Sequence, residues 1–180
     1  MEWRHHRHLV TEARENLRSE FRDNQKAIAD ELNSIHREQA QARDDIRTLT
    51  TLKNAMGNAN NKGMTVAFTF SSDKLQHASW DTSRETGAFA YMPYSEVKTY
   101  AEIIDLQSQW DLHQEQLIGQ YARAIAYMYR FNDNPSAKEI AATADEGIRI
   151  ALDIQGELLL CEDIGKALDK EYAGLAKGSS

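Results

Sequence analysis

The sequence predicts an all-α fold, an elongated antiparallel helical bundle. Three observations carry it. The 180 residues include 15 leucines, 12 isoleucines and 23 alanines against three valines, two prolines and one cysteine. Glu2 to Met56 contains neither proline nor glycine. Two long stretches repeat apolar residues every seven positions. Alanine, leucine and charged residues suit helices, whereas sheets favour the β-branched residues that are scarce here. One cysteine forms no disulfide within the chain.

The first element is a helix over about 2–56. Phe21, Ile28, Ile35, Ala42, Leu49 and Met56 form one heptad row. Gln25, Leu32, Gln39, Ile46 and Lys53 lie four residues on and form the second row of a coiled-coil-like seam. Its polar positions restrict register and call for a specific partner helix. At 1.5 Å per residue the helix reaches about 80 Å, a length that needs something packed along it.

Gly57 to Gly63 breaks the helix. Met64 to Phe70 is the only strand-like stretch and, with no second strand to pair with, reads as an extended connector. Ser71-Ser72-Asp73 offers capping side chains for a short helix over 73–86 that ends at Gly87. A long helix follows Pro93, over about 94–130. Its apolar row is Val97, Ala101, Ile104, Ile118, Ala122, Ile125 and Tyr129, flanked by Tyr100, Trp110, Leu117, Tyr121 and Met128. Between Gln107 and Glu115 that row turns polar.

Asn132 to Pro135 is a turn. Ser136 and Glu139 form a capping box that opens the last helix, over 137–175. Ile140, Gly147, Ile154, Cys161, Leu168 and Leu175 repeat every seven, and Ala144, Ala151, Leu158, Gly165 and Tyr172 follow four residues after the first five. Small residues there allow two helices to approach closely. Residues 1–176 are thus expected to form one domain and 177–180 a disordered tail.

Charge bounds the partners. The net charge is −7. Residues 131–180 carry ten acidic and five basic side chains, which offers phosphate little, so no nucleic acid partner is expected. No signal peptide and no run of 18 apolar residues is read in the chain.

Candidate chemistry is sparse. His5, His6 and His8 contain no pair four apart, so Arg4 to His8 reads as a solvated or headgroup-facing basic cluster rather than a metal site. A di-iron bundle needs two Glu-x-x-His motifs, and only Glu2 with His5 fits. His36, His77 and His113 stand apart. Cys161 lies on an apolar seam and reads as a small buried hydrophobe. No metal, no cofactor and no enzymatic activity is therefore expected. Asp111, with Gln107, Gln114 and Glu115, lies where the apolar row lapses. Asp111, Gln107 and Gln114 are the candidate ligand-binding residues; the alternative is a solvent-facing stretch, or Gln107 and Gln114 paired with Gln25 and Gln39. Tyr121, Tyr127, Tyr129 and Phe131 read as core packing, or as a partner surface.

Two stretches carry a resemblance. One is Glu2-Trp3-Arg4, then Glu12-Ala13-Arg14, then Leu17 to Asn24. The other is Ser79-Trp80-Asp81-Thr82-Ser83-Arg84-Glu85-Thr86-Gly87-Ala88-Phe89, followed by Val97, Tyr100 and Leu106-Gln107. Across about two thirds of the chain they resemble a group of small uncharacterised bacterial proteins. Those carry one N-terminal transmembrane helix, a Trp with a charged helix, then a helical domain. The resemblance implies a membrane anchor that is missing here and a chain that begins where the anchor would emerge. Trp3, Arg4 and Arg7 would then be membrane-proximal. It also implies an extracytoplasmic, periplasmic domain, although basic residues beside an anchor favour the cytoplasmic side. The family supplies no catalytic residues.

Two functions follow as expectations. One is a non-enzymatic, membrane-anchored helical interaction or scaffold domain that self-associates through its long first helix. The other is an extracytoplasmic sensory domain that binds a small ligand between helices.

Overall fold

A computed structural model describes residues 2–55, 74–130 and 136–177. It is an all-α helical bundle: α1 (Glu2–Asn54), α2 (Ala78–Glu85), a 3-10 turn (Ala88–Tyr91), α3 (Tyr94–Met128) and α4 (Ala137–Lys177). The expected connector over 64–70, the break at 57–63 and the turn at 132–135 lie outside the described residues, as do Met56, Phe131 and the tail beyond Lys177.

The short helix starts later than its sequence suggests. Residues 74–77 are irregular and α2 begins at Ala78, with His77 as an N-cap that makes no side-chain bond. The cap comes from α1 instead. The Ser79 backbone N–H donates to Glu20 Oε2 at 2.8 Å, which places a carboxylate at the positive end of the helix. Ser71-Ser72-Asp73 falls outside the described residues. Gly87 ends the helix in the left-handed region at φ 75°, which glycine adopts without strain. The expected capping box forms: Ser136 N–H donates to Glu139 Oε2 at 2.7 Å, and Glu139 N–H to Ser136 Oγ at 3.3 Å.

The described residues group into two compact units. In unit 1 (1–32, 73–111 and 163–180) all four helices take part. Asn24 Nδ2 donates to Gln76 O and Gln76 N–H donates back to Asn24 Oδ1, while Glu20 caps Ser79, so α2 runs against α1. Arg14 meets Glu96 and Phe21 meets Tyr100, so α3 runs with α1. Gln25 meets Asp169, so α4 runs against both. In unit 2 (33–72 and 112–162) the described helices are α1, α3 and α4. Gln39 bonds Glu162 and Lys53 pairs with Asp145, so α4 again opposes α1. His113 with Glu157 and Tyr127 with Thr143 set α3 against α4.

The central positions of the α4 heptad rows are the core as expected, while Ile140 and Leu175 at the ends are half-buried. Gly147, Ile154, Cys161 and Leu168 are buried, and so are Ala144, Ala151, Leu158, Gly165 and Tyr172. Close approach explains the glycines. A Cβ on Gly147 would lie 2.9 Å from the Tyr127 ring, and one on Gly165 would lie 2.9 Å from Trp110 Cζ3.

On α1 the first row, Phe21 to Leu49, is buried, but the second expected row is not. Gln25, Leu32 and Ile46 are half-buried, Lys53 is exposed, and only Gln39 is buried. The second buried row lies on the other flank: Val10, Leu17, Asn24, Glu31, Glu38, Asp45 and Leu52. Two of its polar members are bonded from elsewhere in the fold, Asn24 by the Gln76 backbone at 2.8 and 2.9 Å and Glu38 by Tyr121 Oη at 3.0 Å, whereas Asp45 accepts from Gln41 one turn away.

A similar exchange occurs on α3. The buried row is Tyr100, Ile103, Gln107, Trp110, Gln114, Leu117, Tyr121, Ala124 and Tyr127. The row expected inside is largely outside: Ala101, Ile118, Ala122, Ile125 and Tyr129 are exposed, and Val97 and Ile104 half-buried. The aromatic row carries more burial area per residue, and that decides which face turns inward.

Candidate functional site

Among the expected ligand residues, Gln107 is fully buried and donates to Tyr172 Oη at 2.8 Å. Asp111 is half-buried and its Oδ2 lies 2.9 Å from His77 Nε2. Gln114 is buried, with neither amide atom hydrogen-bonded among the described residues. The alternative pairing with Gln25 and Gln39 does not form. Those side chains bond Asp169 and Glu162, because the row carrying them flanks α4 rather than α3.

At the start of α1, Trp3 is exposed and Arg7 sits over its indole, 5.5 Å from the ring centroid. Arg4 lies on the same first turns of α1. His6 stacks on Tyr91 at 3.9 Å between ring centroids. Among the described residues no three of His, Cys, Asp and Glu converge as metal ligands. Four histidines meet single carboxylates instead: His77 with Asp111, His113 with Glu157, His36 with Glu162 and, at 4.0 Å on the surface, His8 with Glu12.

A polar centre that single-sequence reasoning missed lies in unit 1, where the start of α3 meets α1. Arg14 grips Glu96 with two N–H donors at 2.7 and 2.6 Å, and Tyr100 Oη donates to Glu96 Oε1 at 2.8 Å. The Arg14 bond, reinforced by Tyr100, holds the Glu96 carboxyl below its ordinary range. Burial, with the Glu96 bond second, pushes the Tyr100 hydroxyl up to about 12. These groups open onto a cavity of about 590 Å³, which Arg18, Thr99, Glu171 and Leu175 also line. A second cavity of about 310 Å³ shares Arg18 and Leu175 with it and adds Phe21 and Tyr172. No local motif announces the centre, because its parts come from three distant stretches of chain.

The ion pair has a pH signature. A carboxyl held low when folded stabilises the fold above its unfolded range, and that contribution is lost as pH falls through the folded value. Arg14→Gln is expected to cost about 1–2 kcal/mol at neutral pH, allowing for partial solvent access. The gap from the parent closes in acid, below the ordinary carboxyl value of 4.5. Urea denaturation across pH checks this, and a gap that stays constant into acid would contradict it.

In unit 2 the exposed α3 row makes an apolar strip. Ile118, Ile125 and Tyr129 are 45%, 49% and 85% exposed. Ala122 lies between them, and a Cβ on Gly119 would meet nothing within 4 Å. Tyr121 and Tyr127 of the tyrosine cluster are buried as core, whereas Tyr129 faces out. Leu152, Leu159 and Leu160 of α4 are exposed as well.

No family model, curated protein or solved structure matches the chain.

Proposed function

We propose that this chain is a non-enzymatic helical interaction module, anchored at a membrane through its N-terminal side, that self-associates. The exposed strip of α3 carries the reading. Contiguous apolar surface of this kind marks an interaction site.

The occupant that fits the strip is a second copy of the same helix. When two copies of α3 pair antiparallel about Ala122, each residue opposes the one equally far on the other side. Ile125 then faces the open surface at Gly119, Ile118 faces Ala126, and the Tyr129 hydroxyl faces the Glu115 carboxylate. Large meets small and donor meets acceptor, as an isologous two-fold contact requires. The outward face of α1 favours α3 for this role over the first helix. Lys26, Arg37, Arg43 and Arg47 stand exposed along it, and charged residues are depleted at the centres of interfaces.

The setting at a membrane draws on the resemblance at Trp3 and Arg4, and on the exposed Trp3 beneath Arg7. No described helix is long and apolar enough to cross a membrane. The side proposed is extracytoplasmic, on the resemblance.

Sedimentation equilibrium tests the self-association. A dimer is expected at high micromolar concentration, and Ile125→Arg is expected to raise its dissociation constant at least about tenfold, equivalent to about 1.4 kcal/mol. A parent protein that stays monomeric, or a dimer indifferent to Ile125→Arg, rejects the proposal. The alternative role, sensing a small ligand held between helices, is favoured by one separate observation, the polar cavity of unit 1.

A further inference from the structure

The two adjoining cavities of unit 1 hold an unusual charge arrangement. Four charged side chains line the larger one. Arg14 and Glu96 neutralise each other through two short hydrogen bonds. The remaining two, Arg18 and Glu171, have opposite sign and line the same space, yet neither makes a hydrogen bond or ion pair among the described residues. Arg18 is close enough to Glu96 to help hold its carboxyl low, so its charge is felt inside the cavity.

With one pair closed, the free cation and free anion sum to zero. Such a lining repels a multivalent anion on Glu171 and a polyamine on Arg18, and it suits a molecule that brings one charge of each sign. The adjoining cavity supplies a wall of different chemistry. Phe21 and Tyr172, with rings 5.8 Å apart, face Leu175 and Ala176 there. Arg18 and Leu175 belong to both cavities, so a ligand that reaches the cation can lay an apolar tail along that wall. The combination of a few placed polar groups and a larger apolar lining is what small-molecule sites use.

We propose that these cavities bind a zwitterionic α-amino acid with an apolar side chain. Its carboxylate sits on the Arg18 guanidinium, which suits bidentate capture of a carboxylate. Its ammonium sits on Glu171. Its side chain lies on Phe21, Tyr172 and Leu175. Tyr100 and the Arg14–Glu96 pair form the fixed floor. The inference rests on the ligand-binding alternative and not on self-association. The α3 strip in unit 2 is untouched by the variants below, so the two readings fail separately.

Isothermal titration of the full chain tests it, with L-leucine, L-methionine and L-phenylalanine as probes. Saturable binding of at least one is expected, with dissociation constants up to about the millimolar range. For the probe that binds best, the deaminated acid and the decarboxylated amine are titrated next; for leucine these are 4-methylpentanoate and 3-methylbutylamine. Each lacks one charge and is expected to bind at least about tenfold more weakly, as are the variants Arg18→Gln and Glu171→Gln. Neither side chain makes a hydrogen bond among the described residues, so the variants keep the fold, and the analogue comparison needs no variant at all. Absence of saturable binding by all three amino acids overturns the proposal. So does a deaminated acid that binds as tightly as its amino acid, or an Arg18→Gln protein that binds unchanged.

Discussion

Trp110→Ala is expected to lower the stability of the protein by about 3–5 kcal/mol, a large share of the roughly 5–15 kcal/mol that holds a domain together. Trp110 is fully buried and is the largest such side chain in the structure. Its indole lies where α4 has no side chain to spare, since a Cβ on Gly165 would approach Cζ3 to 2.9 Å and Leu32 Cδ2 to 3.0 Å. The two positions should therefore be coupled. Gly165→Ala gains about 1 kcal/mol of helix propensity, but overpacking against a rigid ring costs about 1–3 kcal/mol, so the single change is expected to destabilise or at best be neutral. Trp110→Phe removes the ring atom in the way. It also breaks no bond, because the indole Nε1 has no hydrogen-bond partner among the described residues. In that background Gly165→Ala is expected to stabilise. A double-mutant cycle by urea denaturation measures the coupling. Equal effects of Gly165→Ala in both backgrounds, or a Trp110→Ala loss below about 1 kcal/mol, would show that the indole is not packed against the glycine as described.

Why α4 was legible and α1 only half so comes down to where the bonding partners lie. Every central seam position of α4 is apolar or small apart from Tyr172, and burial of such residues follows from periodicity alone. The second row of α1 contains Asn24, Glu31, Glu38 and Asp45, residues whose default place is solvent. For Asn24 and Glu38, burial depends on partners far along the chain. Asn24 exchanges two hydrogen bonds with the backbone of Gln76, and Glu38 accepts from Tyr121. Nothing near these residues in the sequence reports those donors. On α3 two apolar rows compete, and both satisfy helical periodicity. Periodicity does not separate them; the larger burial area of the row with Trp110 and Tyr121 takes it inside while Ile118 and Ile125 stay out. Gln107 misleads for the same reason. It looked like a lapse in the core, and the core accepts it because Tyr172 offers an acceptor.

The cavity of unit 1 was less legible still. Arg18 and Glu171 are ordinary exposed-looking charges separated by most of the chain. Arg14 and Arg18 fall within the stretches that carry the resemblance, which gives them no role. What singles these residues out is the contrast between a closed ion pair and an open one in a single cavity, and that contrast exists only after folding.

The largest pH effect is expected in alkali, from the buried tyrosines. Burial is the leading cause that raises Tyr100 and Tyr172, each to about 12, and it raises Tyr121 and Tyr127 as well. A group whose folded value lies above its unfolded one stabilises the fold fully below the unfolded value, near 10, and loses that contribution as pH rises through the folded value. A rise from 10 to about 12 corresponds to roughly 2–3 kcal/mol for each of Tyr100 and Tyr172. Stability should thus fall steeply between about pH 10 and 12, with tyrosinate absorbance from the buried rings appearing together with loss of the helical circular dichroism signal. Tyr100→Phe isolates one contribution. The variant loses the hydroxyl bond to Glu96, which Arg14 still holds, so a cost of about 1 kcal/mol is expected at neutral pH. Above pH 10 the parent must ionise a buried phenol or unfold, whereas the variant has no such proton at this position. The two stability curves are therefore expected to converge and then cross before about pH 12. Curves that run parallel from neutral pH into alkali would mean that the Tyr100 hydroxyl is solvated, and the described packing of α3 against Phe21 and Arg14 of α1 would fail with it.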